Sequence, residues 1–232
     1  MERQNRMQAA TVFVIDDEQS VRESIAALVE LRGVPVRTFA SAEDFLAANV
    51  AGSPGCVVTD LRIDPGMSGI ELQQELTRRG WDIPVIVISA YADVRNAVDA
   101  MHHGAVTLLE KSCSTEALWA AIDEALKLDE ARRATRQQVS ALLDIFRKLT
   151  LDEVEVLVLI VTGEANKVIA NQLGVSLRTI ESRRAMILKK IGVGTLPELV
   201  RMYVELETAL GKPLKEALPL IVERPSAPDA HA

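Results

Sequence analysis

Aromatic side chains are scarce in this chain: four Phe, two Trp and two Tyr, 3% of 232 residues. Its cores must therefore be built from aliphatic side chains. Cysteine is almost absent. Cys56 and Cys113 stand in unrelated contexts, so neither a disulfide framework nor a zinc site can be assembled from them. No apolar run reaches ten residues, which excludes a transmembrane helix. The opening MERQNRMQAATVFVIDDE has no apolar core followed by a cleavage site and does not read as a secretory signal. A cytoplasmic location without membrane contact is the expectation. What is present is 48% hydrophobic and 25% charged residues, the balance of a globular protein.

The net charge of −7 hides a division. Residues 1–125 carry 10 basic and 19 acidic side chains, net −9, and residues 126–232 carry 16 and 14, net +2. An acidic half joined to a mildly basic half suits two domains with different partners.

Short β-branched runs alternate with helical patterns in the first half. The runs are TVFVI (11–15), VRTF (36–39), CVVT (56–59), PVIVI (84–88) and VTLL (106–109). Helical spacing is read at 19–32, 41–49, 69–79 and 93–103. Ser20 with Glu23 and Ser41 with Asp44 read as helix starts, and Gly33, Gly80 and Gly104 as helix stops. Five strands alternating with helices predict a doubly wound parallel α/β sheet covered on both faces. A helix predicted over 114–146 follows. Its polar middle, DEARRATRQQ (129–138), reads as a solvated linker, with pairing to a second copy as the alternative. Beyond it only helices are predicted: 151–162, 166–173, 177–191, 196–209 and a short one near 213–221. Thr150 with Glu153 and Thr195 with Glu198 read as capping boxes. The last ten residues read as disordered.

The polar residues of the first half fall at strand ends. Asp16 and Asp17 follow the first strand, Asp60 ends the third, Ser89 ends the fourth and Lys111 follows the fifth. In an open parallel sheet these ends share one edge, where sites form. Carboxylates crowded together repel unless a cation lies among them, and hard oxygen ligands with open positions suit Mg²⁺. With a lysine and a hydroxyl alongside, one carboxylate could attack a phosphoryl donor and form an acyl phosphate.

VFVIDDE, VVTDLRIDPGMSG, VIVISAYAD and AVTLLEKS resemble the motifs of bacterial two-component receiver domains, which have a flavodoxin-like fold. The resemblance covers residues 10–128. It implies that Asp60 accepts phosphate from a sensor histidine kinase, that Asp16, Asp17, Asp60 and the backbone carbonyl of Arg62 bind Mg²⁺, and that Ser89 and Lys111 read out the phosphoryl group. Three departures stand out. The loop after Asp60 is one residue longer than usual, displacing Pro65 and Gly69. Leu108 replaces the usual switch aromatic, with Tyr91 as a candidate substitute. Ser112 replaces a cis-proline, so the loop is either trans or strained.

In NKVIANQLGVSLRTI (166–180), Ile169, Leu173, Val175 and Ile180 would bury one face, Ala170 permits close helix approach and Gly174 supplies a turn: the pattern of a helix-turn-helix. The second helix sets Arg178, Arg183, Arg184, Lys189 and Lys190 against Glu181, a local net charge of +4 suited to phosphates. The segment LTLDEVEVLVLIVTGEANKVIANQLGVSLRTIESRRAMILKKIGV resembles the LuxR/FixJ-type DNA-binding domain. The resemblance implies base-edge contacts from Glu181, Ser182 and Ala185, and phosphate contacts from Lys167, Arg178, Thr179, Arg183, Arg184 and Lys190. Ser182 and Arg183 replace residues common in FixJ-like members.

Together the two resemblances imply a receiver at 10–128, a helical linker at 129–148, a DNA-binding domain at 149–210 and a tail at 211–232. They imply a transcription factor of the FixJ/NarL group, an activator, whose only catalysis is its own phosphoryl transfer and dephosphorylation. Its expected partners are a sensor histidine kinase, promoter DNA, RNA polymerase and, when active, a second copy of itself. Leu108, Ser112 and the lengthened loop motivate an alternative, a phosphate-independent regulator that uses its receiver as a dimerisation platform.

Overall fold

A computed structural model of the chain describes residues 10–90 and 104–223. It falls into two compact units that divide between Arg133 and Ala134. The first contains five parallel strands, β1 (Thr11–Ile15), β2 (Val36–Phe39), β3 (Gly55–Asp60), β4 (Val85–Ser89) and β5 (Thr107–Glu110), in the order β2-β1-β3-β4-β5. Its helices are α1 (Gln19–Leu31), α2 (Ala42–Ala47), α3 (Gly69–Arg78) and the start of α4 (Thr115–Phe146). The expected helix at 93–103 and Tyr91 lie outside the described residues.

Strand side chains alternate between two faces, and each face is dry. Val12, Val14, Val58, Ile86 and Ile88 pack with Ile25 and Val29 of α1 and Ile122 and Ala125 of α4. Phe13, Ile15, Val57 and Val87 pack with Phe45 of α2 and Leu72 and Leu76 of α3. Apolar runs such as VIVI therefore carry no polar positions, because neither face meets water. Ser41 and Ser68 cap α2 and α3 through their hydroxyls. Ser20 does not start α1. The N-cap is Glu18, without a side-chain cap bond, because Asp16 Oδ1 already accepts the Glu18 amide at 2.8 Å and turns the chain there.

The second unit holds the end of α4 and five shorter helices: α5 (Leu151–Val161), α6 (Asn166–Gln172), α7 (Leu177–Ile191), α8 (Leu196–Leu210) and α9 (Leu214–Glu223). Both expected capping boxes, Thr150–Glu153 and Thr195–Glu198, are formed. Phe146, Val156, Leu157, Ile169, Ile180, Ile187, Leu199 and Leu206 make the core. Leu214, Ala217 and Leu218 of α9 are buried in it, so the core extends past the tail boundary expected at 211.

The polar stretch of α4 is not uniformly solvated. Asp129 is buried and accepts the Gly55 amide at 2.9 Å, and Arg133 bonds both Asp129 and the Gly52 carbonyl. Arg132 reaches Asp82 at 2.7 Å. At the other end Val139, Leu142, Leu143 and Ile145 pack on the helical core. The expected linker, 129–148, is thus shared out between the two units. No helix among the described residues is long and apolar enough to cross a membrane.

Candidate functional site

The order β2-β1-β3-β4-β5 places the switch point between β1 and β3, so the residues after β1 and at the end of β3 face one crevice. Carboxylate oxygens of Asp16, Asp17 and Asp60 lie within 4.8 Å of one another. Asp16 is fully buried, Asp60 nearly so, and Asp17 is exposed.

Lys111 enters from the loop after β5. Its Nζ donates to Asp60 Oδ2 at 2.7 Å and to Glu18 Oε1 at 2.8 Å, and lies 3.0 Å from Asp16 Oδ2. Burial alone would lower the Lys111 ammonium, but its contacts with the carboxylates of Asp60, Glu18 and Asp16 outweigh that and raise it above the ordinary lysine value. Asp16 is raised above the usual carboxylate range. Burial is the main cause and Asp60 adds to it, against the Glu18 amide and Lys111.

The backbone completes the pocket. The Arg62 amide donates to Asp60 Oδ1 at 3.1 Å. Gly69, at the start of α3, packs so closely that a Cβ there would stand 2.3 Å from the Asp60 carbonyl oxygen. The lengthened loop still returns α3 to Asp60, with the Gly69 amide on the Leu61 carbonyl at 3.1 Å. Ser89 is buried at the end of β4, and its carbonyl accepts the Lys111 amide at 2.8 Å. Leu108 packs on the core beside α2 and α3. The cis peptide among the described residues precedes Pro65, so the Lys111–Ser112 bond is trans. Sequence reasoning missed Glu18, which shares Lys111, and Arg22, whose guanidinium holds the Asp16 and Asp17 carbonyls at 2.6 and 2.9 Å. Spacing within DDEQSVR was the only signal for either.

The residues fit a hard divalent cation. Asp16 Oδ2 is shut off from water, has the ion-pair contact with Lys111, and receives no hydrogen bond of regular geometry. Three carboxylates and Glu18 face one ammonium, leaving an excess of negative charge over hard oxygen donors.

The second cluster lies on α7. Ser176 caps it through the Thr179 amide, and Gly174 makes the preceding turn at φ +66°. Ile180, Ile187 and Ile191 bury one face, while Arg178, Glu181, Ser182, Ala185 and Lys189 are exposed, as is Lys167 on α6. At helical spacing, positions 178, 182, 185 and 189 share a face. The remaining expected DNA contacts have partners within the protein. Thr179 Oγ1 lies 2.8 Å from Ser176 Oγ. Arg184 donates to Asn166 Oδ1 at 3.1 Å. Arg183 is paired with Asp152 of α5. Lys190 donates to Glu153 Oε2 at 2.6 Å. Lys190, expected as a phosphate contact, thus ties α7 to α5. Burial alone would raise the Glu153 carboxyl, but Lys190 and the Thr150 cap hold it below its ordinary range.

The description of the response regulator receiver domain matches residues 12–123, and that of bacterial regulatory proteins of the luxR family matches residues 147–203. Transcriptional regulatory protein TdiR of Thauera aromatica is 38% identical over 196 residues, covering 84% of this chain and 86% of that protein. Transcriptional regulatory protein FixJ of Azorhizobium caulinodans is 42% identical over 198 residues, covering 82% and 90%. The solved structure of response regulator StyR aligns at a TM-score of 0.76 and 40% identity, covering 84% of this chain and 98% of that one.

Proposed function

The chain belongs to the two-component response regulators that join a receiver to a LuxR-type DNA-binding domain, and we propose that Asp60 is its phosphoacceptor and that phosphate there controls promoter binding. The observation that carries this reading is Lys111 Nζ at 2.7 Å from Asp60 Oδ2, beside Asp16 and Asp17, at the switch point of the sheet.

A carboxylate oxygen of Asp60 attacks the phosphorus of a phosphohistidine on the sensor kinase. The bond from phosphorus to the imidazole nitrogen breaks, and an acyl phosphate forms. Lys111 offsets the charge of the transferred group, and the Arg62 amide holds Asp60 Oδ1 in place. Asp16, Asp17, Asp60 and the Arg62 carbonyl would hold Mg²⁺, which when bound supplies positive charge to the phosphoryl oxygens. Ser89 and Lys111 then move toward the phosphoryl oxygens and stabilise the active one of two pre-existing states. Leu108 stands on β5 at the position from which that change would be relayed.

The active state is a homodimer whose two copies of α7 meet half-sites about one duplex turn apart. Glu181, Ser182 and Ala185 read base edges, and Lys167, Arg178 and Lys189 contact phosphates. RNA polymerase is the further partner of an activator bound at a promoter. The first unit, from residue 10 to Arg133, is the receiver, and the DNA-binding part runs from about Leu149 through α9.

Size in solution tests the reading. After acetyl phosphate and Mg²⁺ the chain becomes a dimer, whereas Asp60→Asn stays a monomer. A dimer that forms equally in Asp60→Asn would favour the phosphate-independent regulator, the alternative motivated by Leu108 and Ser112.

A further inference from the structure

Two acids in the first turn of α5 face two cations on one flank of α7, and the two pairs differ in character. Glu153 is buried, closes the Thr150 capping box and holds Lys190, so its work is structural. Asp152 closes no cap. Its side chain is 65% exposed, and among the described residues it bonds only Arg183, itself 25% exposed.

Arg183 is one residue along from Ser182, rotated toward α5 from the exposed face that carries Arg178, Ala185 and Lys189. A guanidinium in that position flanks whatever the exposed face enters. Its fork matches a carboxylate or a phosphate equally well. Asp152 therefore occupies Arg183 with the same chemistry that a DNA backbone would offer. An ion pair so open to solvent is weak, and a phosphate can compete with it, so the effect is graded.

We propose that Asp152 is a specificity-determining residue of the DNA-binding surface: it holds Arg183 against α5 in place of a backbone phosphate and so suppresses sequence-independent binding. The inference rests on the DNA-binding reading above. Backbone contacts supply affinity without sequence information, so withholding one lets the base contacts of Glu181, Ser182 and Ala185 weigh more.

The test uses the full chain and a random-sequence duplex, with binding titrated over a range of salt. Asp152→Asn is nearly isosteric and lies on the surface, so the fold is retained, which a melting curve checks. The variant binds the random duplex severalfold more tightly at low salt, and the slope of log affinity against log salt steepens by about 0.9, one phosphate contact. Adding Arg183→Ala to Asp152→Asn returns the slope to that of the parent chain. An unchanged slope in Asp152→Asn, or weaker binding, would overturn the proposal while leaving DNA binding intact. A chain that binds no duplex in any variant would overturn the DNA-binding reading, and this inference with it.

Discussion

The carboxylate of Asp129 accepts the amide of Gly55 at 2.9 Å, across 74 residues of sequence. Gly55 begins β3, and Asp60 ends it. The long helix that leaves the first unit is therefore pinned to the same strand that carries the proposed phosphoacceptor, at its opposite end. Arg133 closes the arrangement by bonding Asp129 at 3.0 Å and the Gly52 carbonyl.

Breaking that link should cost stability without touching the chemistry. Asp129→Ala leaves the buried Gly55 amide unsatisfied and Arg133 without its carboxylate. A loss of about 2–4 kcal/mol is expected in urea unfolding of the first unit. Labelling of Asp60 by acetyl phosphate should persist at temperatures where the variant stays folded.

At Asp16 stability and function pull in opposite directions. Burial raises its carboxyl, so the folded state holds that proton more tightly than the unfolded one. The stability this contributes is present below the unfolded value and lost as pH rises through the folded one, so at neutral pH the ionised form is a cost. Asp16→Asn should therefore raise stability at neutral pH in the absence of divalent cations, by about 0.5–2 kcal/mol. The same variant should lose Mg²⁺-dependent labelling of Asp60. Urea unfolding in EDTA and phosphoryl incorporation measure the two effects.

Glu153 gives the opposite sign. Its carboxyl is held below the ordinary range by Lys190 and Thr150, which outweigh burial. The stability it contributes is present above the unfolded value and lost as pH falls through the folded one. The helical unit should lose stability on acidification below the ordinary glutamate value of about 4.3. Glu153→Gln should flatten that dependence and cost about 1–2 kcal/mol at neutral pH.

Helix α9 should be part of the folding unit. Leu218 is fully buried against the core that contains Leu157 and Tyr203. Leu218→Ala should destabilise the helical unit by about 2–5 kcal/mol, as cavity formation does elsewhere. Leu220→Ala, at a position 62% exposed, should change stability little.

Asp16, Asp60 and Lys111 were legible because strand ends of a parallel sheet share an edge, and five short apolar runs alternating with helical patterns fix which ends those are. The helix-turn-helix was legible because Ile169, Ala170, Gly174 and Ile180 each have one steric job. Residues whose role depends on a distant partner were not. Asp129 sits in a run of charges that reads as solvated, and only the tertiary approach of β3 makes it a buried acceptor. Glu18 reads as an ordinary acid at a helix start until Lys111 arrives from beyond β5. Lys190 and Arg183 look like phosphate contacts because the acids that hold them, Glu153 and Asp152, lie on another helix. The short helix expected near 213–221 forms as α9 with Pro219 inside it, but the sequence placed it in a tail beyond the domain, and only the packing of Leu214, Ala217 and Leu218 shows that it joins the core.

Intact-mass spectrometry after incubation with acetyl phosphate and Mg²⁺ tests the central claim most directly, with Asp60→Asn alongside. The expected result is one phosphoryl group on the parent chain and none on the variant. A folded parent chain that takes up no phosphoryl group, or a variant that takes up as much, would contradict the assignment of Asp60.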